Sequence, residues 1–456
     1  MTTVTAPHRL WRNPRYLLWL VSDTSKGLAA ALFGFAIPLL ALIVTDDPAL
    51  AGIIAGAGLV ARLLATLIGG ILADRHRRIV LMLVGSLLGV GLSVAFTVLA
   101  WTDALTFSVL LVIDVLLAAR NGLFDVAGES AIKEIVPDEA MGRAQAANQG
   151  RDAALQLAGG PLGGLLLGVG GWLVGLVMAL CHALAAATAW LLTRSVVPTP
   201  VATSLGGENP DETADARRGA ARHTADAASD LGFHTAGGAR PARRRALTEL
   251  REGFAWLFSR PDLGGVLAII TIINLGFNAA ITTVIYALQQ AGYSELLIGT
   301  LSAGVGVVML VGAVIAPLLV SRVGTGALTI ATLTVVAAAA VGLSFVTDLW
   351  AIVAVLGSAV LLLPALNAGM MGYFMVATPS HLLGRANSAA GVLGMGAMPL
   401  GPLIAGFGLA WAGRQGTILV CAALCAIAAV LAVANRALRA LPVEARWAAH
   451  ARQYEQ

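Results

Sequence analysis

Charge is scarce in this chain. Only 12% of its 456 residues are Asp, Glu, Lys or Arg, against 58% hydrophobic, and the mean hydropathy is +0.84, which excludes an ordinary soluble protein of this length. Cysteine is scarcer still: Cys181, Cys421 and Cys425 each sit inside an apolar run. No C-x-x-C pair and no His at ligand spacing accompany them, so they read as small buried hydrophobes and no metal site is expected. No G-x-x-x-x-G-K-[ST] phosphate loop occurs, which excludes a recognisable ATPase within the chain. The first apolar run, Tyr16 to Val44, follows Arg9, Arg12 and Arg15. It is far longer than a signal-peptide core, lacks a clear cleavage site, and is expected to be an uncleaved first span. The net charge of +4 would suit nucleic acid, but the arginines sit in loops between apolar segments, where the positive-inside rule accounts for them; no nucleic-acid partner is expected.

What the chain has in abundance is long apolar runs. After the first come Leu50 to Leu72, Ile79 to Ala100, Leu105 to Phe124, Ala144 to Val169 and Trp172 to Leu192. A polar interruption follows. Then come Leu263 to Leu288, Leu296 to Val320, Ala327 to Val346, Trp350 to Ala377, Ala386 to Trp411 and Ile418 to Ala434. At ~1.5 Å rise per residue each can cross a hydrocarbon core of roughly 30 Å, which predicts twelve transmembrane helices and an all-α integral membrane protein. Asp46, Asp47, Asp103, Glu295 and Asp348 lie in loops without Lys or Arg, whereas Arg75, Arg77, Arg78, Lys133, Arg143, Arg322 and Arg385 lie in the alternate set. That alternation predicts both termini cytoplasmic, with Arg414 as the one exception.

The expected division is a six-helix bundle over 1–194, a disordered cytoplasmic linker over 195–245, an interfacial amphipathic helix over 246–260, a second six-helix bundle over 261–436 and a cytoplasmic tail over 437–456. The linker is rich in Ala, Gly, Thr, Asp and Arg without apolar periodicity. The amphipathic stretch repeats Leu247, Leu250, Phe254 and Leu257 at helical spacing. An internal repeat relates the halves: Pro137, Gly142-Arg143-Ala144 and Gly160-Pro161 recur as Pro379, Gly384-Arg385-Ala386 and Gly401-Pro402, an offset of roughly 242 residues. Parallel repeats of this sense imply two bundles about an axis along the membrane normal, and alternating access. Proline after glycine inside both apolar helices predicts a bend in each half.

Ionisable residues within spans cost several kcal/mol in lipid unless paired or facing water. Here they are Asp23, Lys26, Arg62, Asp114, Arg120, Arg151 and Asp152, all in the first, second, fourth and fifth spans. Asp23 and Lys26 stand i, i+3 and can pair on one face. Asp114 lies ~14 Å into the fourth span, near the midplane. It is the first candidate for a proton carrier, with Asp152 and Asp23 behind it; a static salt bridge from Asp114 to Arg62 or Arg151 is the alternative, and both stay open. Lys26, Arg62, Arg120 and Arg151 are candidate cavity residues, joined from the second half by Asn274, Asn278, Tyr286 and Asn367.

Gly70-Ile71-Leu72-Ala73-Asp74-Arg75-His76-Arg77-Arg78 resembles the G-x-L-A-D-R-x-G-R signature loop of the major facilitator superfamily, with Arg77 in place of a glycine. Gly160, Pro161 and Gly164 resemble the antiporter motif of that family's fifth helix, although Gln156 and Ala147 replace its upstream glycines. Leu117-Ala118-Ala119-Arg120-Asn121-Gly122 and Gly253-Phe254 look like the branch that holds macrolide-efflux proteins and the enterobactin exporter. The resemblance implies the major facilitator fold, with the first, second, fourth and fifth helices lining the cavity. It implies a gating role for Gly70, Asp74, Arg75 and Arg78, Asp74 accepting from the start of the eleventh helix near Ala386 and Arg78 bridging to Asp125 or Glu129. A multi-pass, monomeric transporter of the cell membrane follows, not an enzyme. It would have a small-molecule substrate, the lipid bilayer as its other partner, and no cofactor beyond the proton gradient as energy source. Proton-coupled efflux of amphipathic drugs or a siderophore is the expected function; the alternative is an ion-coupled importer of an anionic solute.

Overall fold

The computed structural model describes residues 12–136, 138–194, 242–379 and 382–454. Six helices answer the first six apolar runs: α1 (Pro14–Thr45), α2 (Pro48–Arg75), α3 (Arg78–Trp101), α4 (Phe107–Ala131), α5 (Asp138–Val169) and α6 (Gly171–Arg194). The helix α7 (Ala242–Ser259) precedes α8 (Gly264–Gln290), α9 (Glu295–Arg322), α10 (Thr325–Leu343), α11 (Leu349–Val360), α12 (Leu363–Ala377), α13 (Leu383–Gly396) and α14 (Leu400–Ala434). The short α15 (Arg436–Arg439) and α16 (Trp447–Ala451) follow. No strand occurs among the described residues. The expected linker falls almost wholly in 195–241, outside the described residues.

Among the described residues eleven stretches are long and apolar enough to cross a membrane, and the last, Arg385–Ala434, takes in both runs expected as the eleventh and twelfth spans. Gly413 lies between those two runs with φ 66° and ψ −178°, a left-handed conformation that glycine adopts without steric cost. Two expected spans are divided. The tenth breaks at residues 361–362, just before Pro364, whose ring cannot continue a helix without losing a backbone bond. The eleventh breaks at 397–399, between α13 and α14.

The two Gly-Pro pairs occupy different places in their helices. α5 runs unbroken through Gly160-Pro161, whereas Gly401-Pro402 lies in the first turn of α14, where a missing N–H leaves nothing unsatisfied. The repeated sequence is served by two different backbones.

Several acids that the loop pattern placed between spans are helix caps. Asp46 ends α1 at φ 49°, and the Asp47 carboxylate accepts from the Ala49 N–H at 2.7 Å at the head of α2, with Pro48 in the first turn. Asp348 accepts from Ala351 at 2.9 Å and starts α11. Arg414, the exception to the charge pattern, donates to the carbonyls of Leu343 at 3.2 Å and Val346 at 2.5 Å. It satisfies the end of α10, where a cation opposes the helix dipole favourably. Arg414→Leu is expected to lower unfolding stability by about 1.5 kcal/mol, the low end for hydrogen bonds to a charged group. A thermal melt in detergent reads this, and an unchanged melting temperature would refute the capping role.

Among residues 12–194, α2 packs along α4, α3 along α6, and α1 against α5 and α6; among 242–454, α14 packs on α8 and α10, and α9 on α12. The two sets meet where α5 crosses α9 and α2 crosses α14. Small residues permit this, since a β-carbon on Gly160 would stand 2.8 Å from the Gly299 carbonyl oxygen and one on Gly56 3.1 Å from that of Pro399. β-Carbons on Gly52, Gly164, Gly299 or Gly406 would overlap backbone across the seam. Gln289 also donates to the Leu39 carbonyl at 2.9 Å. All these contacts lie toward the end of the bundle that carries the α1–α2 and α8–α9 turns, and they close it.

At the opposite end, α7 packs along α13. Leu257 is fully buried, Gly253 backs onto the Arg385 carbonyl, and Glu252 pairs with Arg385 at 2.7 Å. Phe258 is exposed. The expected interfacial helix thus has one side packed on protein. The tail is folded as well: Thr325 and Gly326, at the head of α10, donate their N–H groups to Pro442 and Leu441, and the Trp447 indole donates to the Thr325 hydroxyl at 2.9 Å.

Candidate functional site

A cavity of about 610 Å³ opens at the end opposite the glycine seam. Its lining comes from α1, α2, α4 and α5, including Trp19, Asp23, Lys26, Arg62, Asp125, Glu129, Arg151 and Asp152. Asp23 is nearly buried and sits between two cations, 3.0 Å from Lys26 and 2.8 Å from Arg151. Lys26 reaches on to Asp125 at 3.5 Å, and Arg151 to Asp152 at 2.8 Å. The Arg151 guanidinium also lies 5.8 Å from the centre of the Trp19 ring, whose indole N–H donates to the Gly128 carbonyl. Pairing of this kind is what low-dielectric surroundings demand, since removing one partner strands a buried charge. The expected i, i+3 pair is present, as one link in a chain of five residues.

Sequence reasoning missed the amides Gln145, Asn148, Gln149 and Gln156, which line the same cavity. A signal for them existed. With Asp152 they recur at helical spacing along α5, a polar stripe on an otherwise apolar span.

A second pocket of about 260 Å³ lies deeper, lined by residues that include Phe33, Ile37, Pro38, Leu59, Arg62, Asp114, Ile285, Tyr286 and Pro402. Arg62 borders both spaces. Asp114 is 3% exposed, and its Oδ2 has no hydrogen-bond partner among the described residues. Gly58 makes room for it, because a β-carbon there would stand 2.9 Å from the Asp114 Cγ. The Tyr286 hydroxyl is likewise buried and without a partner. Neither alternative partner binds Asp114: Arg151 is held by Asp23 and Asp152, and no ion pair joins Asp114 to Arg62.

Other candidates are placed elsewhere. Arg120 is buried between α3 and α4, donating to the Gly85 carbonyl and to Asn121, each at 2.7 Å, and lines neither cavity. An arginine inside the bundle finds backbone carbonyls to satisfy it as readily as a substrate. Asn274, Asn278 and Asn367 also line neither cavity; the Asn278 amide donates to the Asn274 carbonyl at 2.8 Å, and Asn367 is exposed. Of the four second-half candidates only Tyr286 reaches the site. Asp152, placed within a span by the sequence, is about half exposed at the cavity wall.

Arg78 does not reach Asp125 or Glu129. It donates to the Ser130 carbonyl at 3.2 Å and pairs with Glu134 at 3.6 Å, because α4 ends in a 3₁₀ turn that carries Glu134 toward the α2–α3 turn. Arg75 is exposed, and a β-carbon on Gly70 would meet nothing within 4 Å. The side chain of Asp74 lies outside the described residues. Gly160, Pro161 and Gly164 lie on α5, with both glycines at the seam with α9. Among the described residues no three His, Cys, Asp or Glu side chains form a metal-ligand group.

Comparison with known proteins bears on the fold and the family. Among solved structures, a bacterial homologue of the iron transporter ferroportin in an inward-facing state superposes with TM-score 0.64 at 14% identity, over 92% of this chain and 98% of that one. A bacterial metal transporter gives 0.58 at 13% identity, over 94% and 99%. The nucleoside transporter NupG gives 0.59 at 12% identity, over 92% and 100%. At such low identity these superpositions show a shared fold alone. No curated protein matches the chain in sequence. Residues 24–398 match the Major Facilitator Superfamily, and with that match running across most of a helical bundle of the same fold, the chain belongs to this superfamily of membrane transporters.

Proposed function

We propose that the protein is a secondary active transporter that works by alternating access and couples the export of amphipathic small molecules, drugs or a siderophore, to the proton gradient. The observation that carries this reading is the run of space from the open cavity, past Arg62, to Asp114 and Tyr286, stopped short of the far end by the glycine seam. A path open at one end and sealed at the other is one half of a transport cycle. With the termini cytoplasmic, in the cell membrane, the open end faces inward. Asp114 is the proposed proton carrier, since it is buried, borders the deeper pocket and lacks a salt bridge. The loop around Asp74 and Arg75 is the proposed latch of the opposite conformation, in which the open end closes.

Import of an anionic solute by three arginines has less support, because Arg120 faces α3 and Arg151 is held by two carboxylates. The test uses inside-out vesicles with an imposed pH gradient and a fluorescent pH dye. Addition of a macrolide or a catecholate siderophore is expected to discharge the gradient through the wild-type protein and not through Asp114→Asn. Discharge that is identical in the two, or absent from both, would refute the proposed coupling.

A further inference from the structure

The charged residues around the open cavity differ in what they already hold. Asp23, Lys26, Asp125, Arg151 and Asp152 are tied to one another by four ion pairs. Arg62 on α2 and Glu129 on α4 line the same cavity, and neither forms an ion pair among the described residues. One uncommitted cation and one uncommitted anion therefore face a single space of about 610 Å³. Both side chains are open to solvent, so an unanswered charge keeps its water, and a solute with two opposite charges gains a second contact that a singly charged one lacks.

The two spare charges also differ in their surroundings. Arg62, but not Glu129, borders the deeper pocket of about 260 Å³, whose walls are mostly apolar, with Phe33, Ile37, Leu59 and Ile285 among them and, of the described residues, Asp114 as the one acid. An apolar group that enters this pocket must be attached close to whatever Arg62 binds.

We propose that the substrate is a zwitterionic amphiphile of amino-acid or short-peptide type: its carboxylate is bound by Arg62, its ammonium faces Glu129, and the bulky apolar group next to the carboxylate fills the deeper pocket. This names the substrate class of the transporter proposed above and rests on that reading. Guanidinium forks suit carboxylates, with two parallel N–H donors for two oxygens. The polarity of the arrangement sets a rule, namely that the apolar side chain belongs at the carboxyl end of a peptide.

The test is binding to the purified full chain in lipid nanodiscs, by calorimetry, with four probes: alanyl-tryptophan, its C-terminal amide, its N-acetyl form and the reversed peptide tryptophanyl-alanine. The free dipeptide is expected to bind at least about tenfold more tightly than each of the other three. Arg62→Gln should abolish its advantage over the amide and keep that over the acetyl form. Glu129→Gln should do the opposite. A crossed pattern of this kind cannot come from misfolding, and the melting temperature of each variant without probe checks the fold directly. Equal binding of the four probes, no binding of the dipeptide, or the same loss in both variants would overturn the inference. If the dipeptide fails to bind while a macrolide still discharges the pH gradient, the substrate class falls and the transport reading stands; if the dipeptide binds but neither it nor a macrolide discharges the gradient, the transport reading falls instead.

Discussion

Gly299→Val is expected to prevent the sealed end of the bundle from closing and to lower transport by about tenfold or more, since overpacking costs about 1–3 kcal/mol and each 1.4 kcal/mol is a factor of ten in a two-state ratio. A β-carbon at 299 would collide with the Gly160 carbonyl group, and one on Gly160 would stand 2.8 Å from the Gly299 oxygen. The obstacle is backbone on both sides, which cannot swing away as a side chain would. Helices without a large hydrophobic drive to associate depend on such close approach. The substitution should spare the fold of each bundle and act on the state in which α5 and α9 touch. Spin labels placed in the α1–α2 and α8–α9 turns would report a longer distance and a larger open population at that end. Gly164→Val should act alike, because its β-carbon would overlap the Glu295 carbonyl region. Gly150→Ala, on the same helix with nothing within 4 Å, should be silent. Unchanged label distances and unchanged transport in Gly299→Val would show that the seam does not control the closed state.

The largest loss of stability is expected from Asp262→Ala, about 3–5 kcal/mol, the range for stranding the partner of a buried ion pair. Asp262 is 0% exposed and precedes α8. Arg260 grips it with two hydrogen bonds, at 2.9 and 2.8 Å, and the Tyr373 hydroxyl donates to it at 2.5 Å. Trp447 lies edge-on to Tyr373, so this node ties the entry to α8, the end of α12 and the folded tail into one unit. Tyr373→Phe, which removes one donor and keeps the ion pair, should cost less, about 1.5–3 kcal/mol. Thermal unfolding in detergent would order the two variants, and equal melting temperatures for Asp262→Ala and wild type would contradict the role given to the node.

The pH dependence of this node has a definite sign. Burial pushes the Asp262 carboxyl up, but hydrogen bonds from Arg260 and Tyr373 and the Arg260 charge more than reverse this and hold it below the ordinary value of 3.8. Arg260 is raised by its hydrogen bond to Asp262, against an opposing effect of burial. A depressed carboxyl stabilises the fold above its unfolded value, and that contribution disappears as pH falls through the lowered folded value. The difference in stability between wild type and Asp262→Ala should therefore be constant from neutral pH down to about 4 and shrink only below it.

How far each feature was legible follows from the range of the forces that set it. Apolar runs long enough to cross a bilayer marked where the long helices lie, because lipid offers the backbone no partner and each run must satisfy its own hydrogen bonds as a helix, but they did not announce the breaks at 361–362 and 397–399. The charges in Asp23, Lys26, Arg62, Arg151 and Asp152 marked the cavity wall for a related reason: a charge in a span must be paired or face water. Local rules of this kind act between neighbours in the chain, and the i, i+3 pair of Asp23 and Lys26 is such a case.

Tertiary structure alone decided which partner each group took. Arg120 was indistinguishable in sequence from Arg62, yet it turned to a carbonyl on α3 while Arg62 remained open to both cavities. Arg78 found Glu134 through a 3₁₀ turn that its sequence did not announce. Arg260, Asp262, Tyr373 and Trp447 are spread over nearly two hundred residues and meet only because the tail folds back beneath α10 and α12. The repeat shows both sides at once: Gly160-Pro161 and Gly401-Pro402 are the same local signal, but one is carried inside a continuous helix and the other begins a new one. Proline dictates only that its own N–H be spared, and where the chain breaks to spare it depends on the helices packed around it.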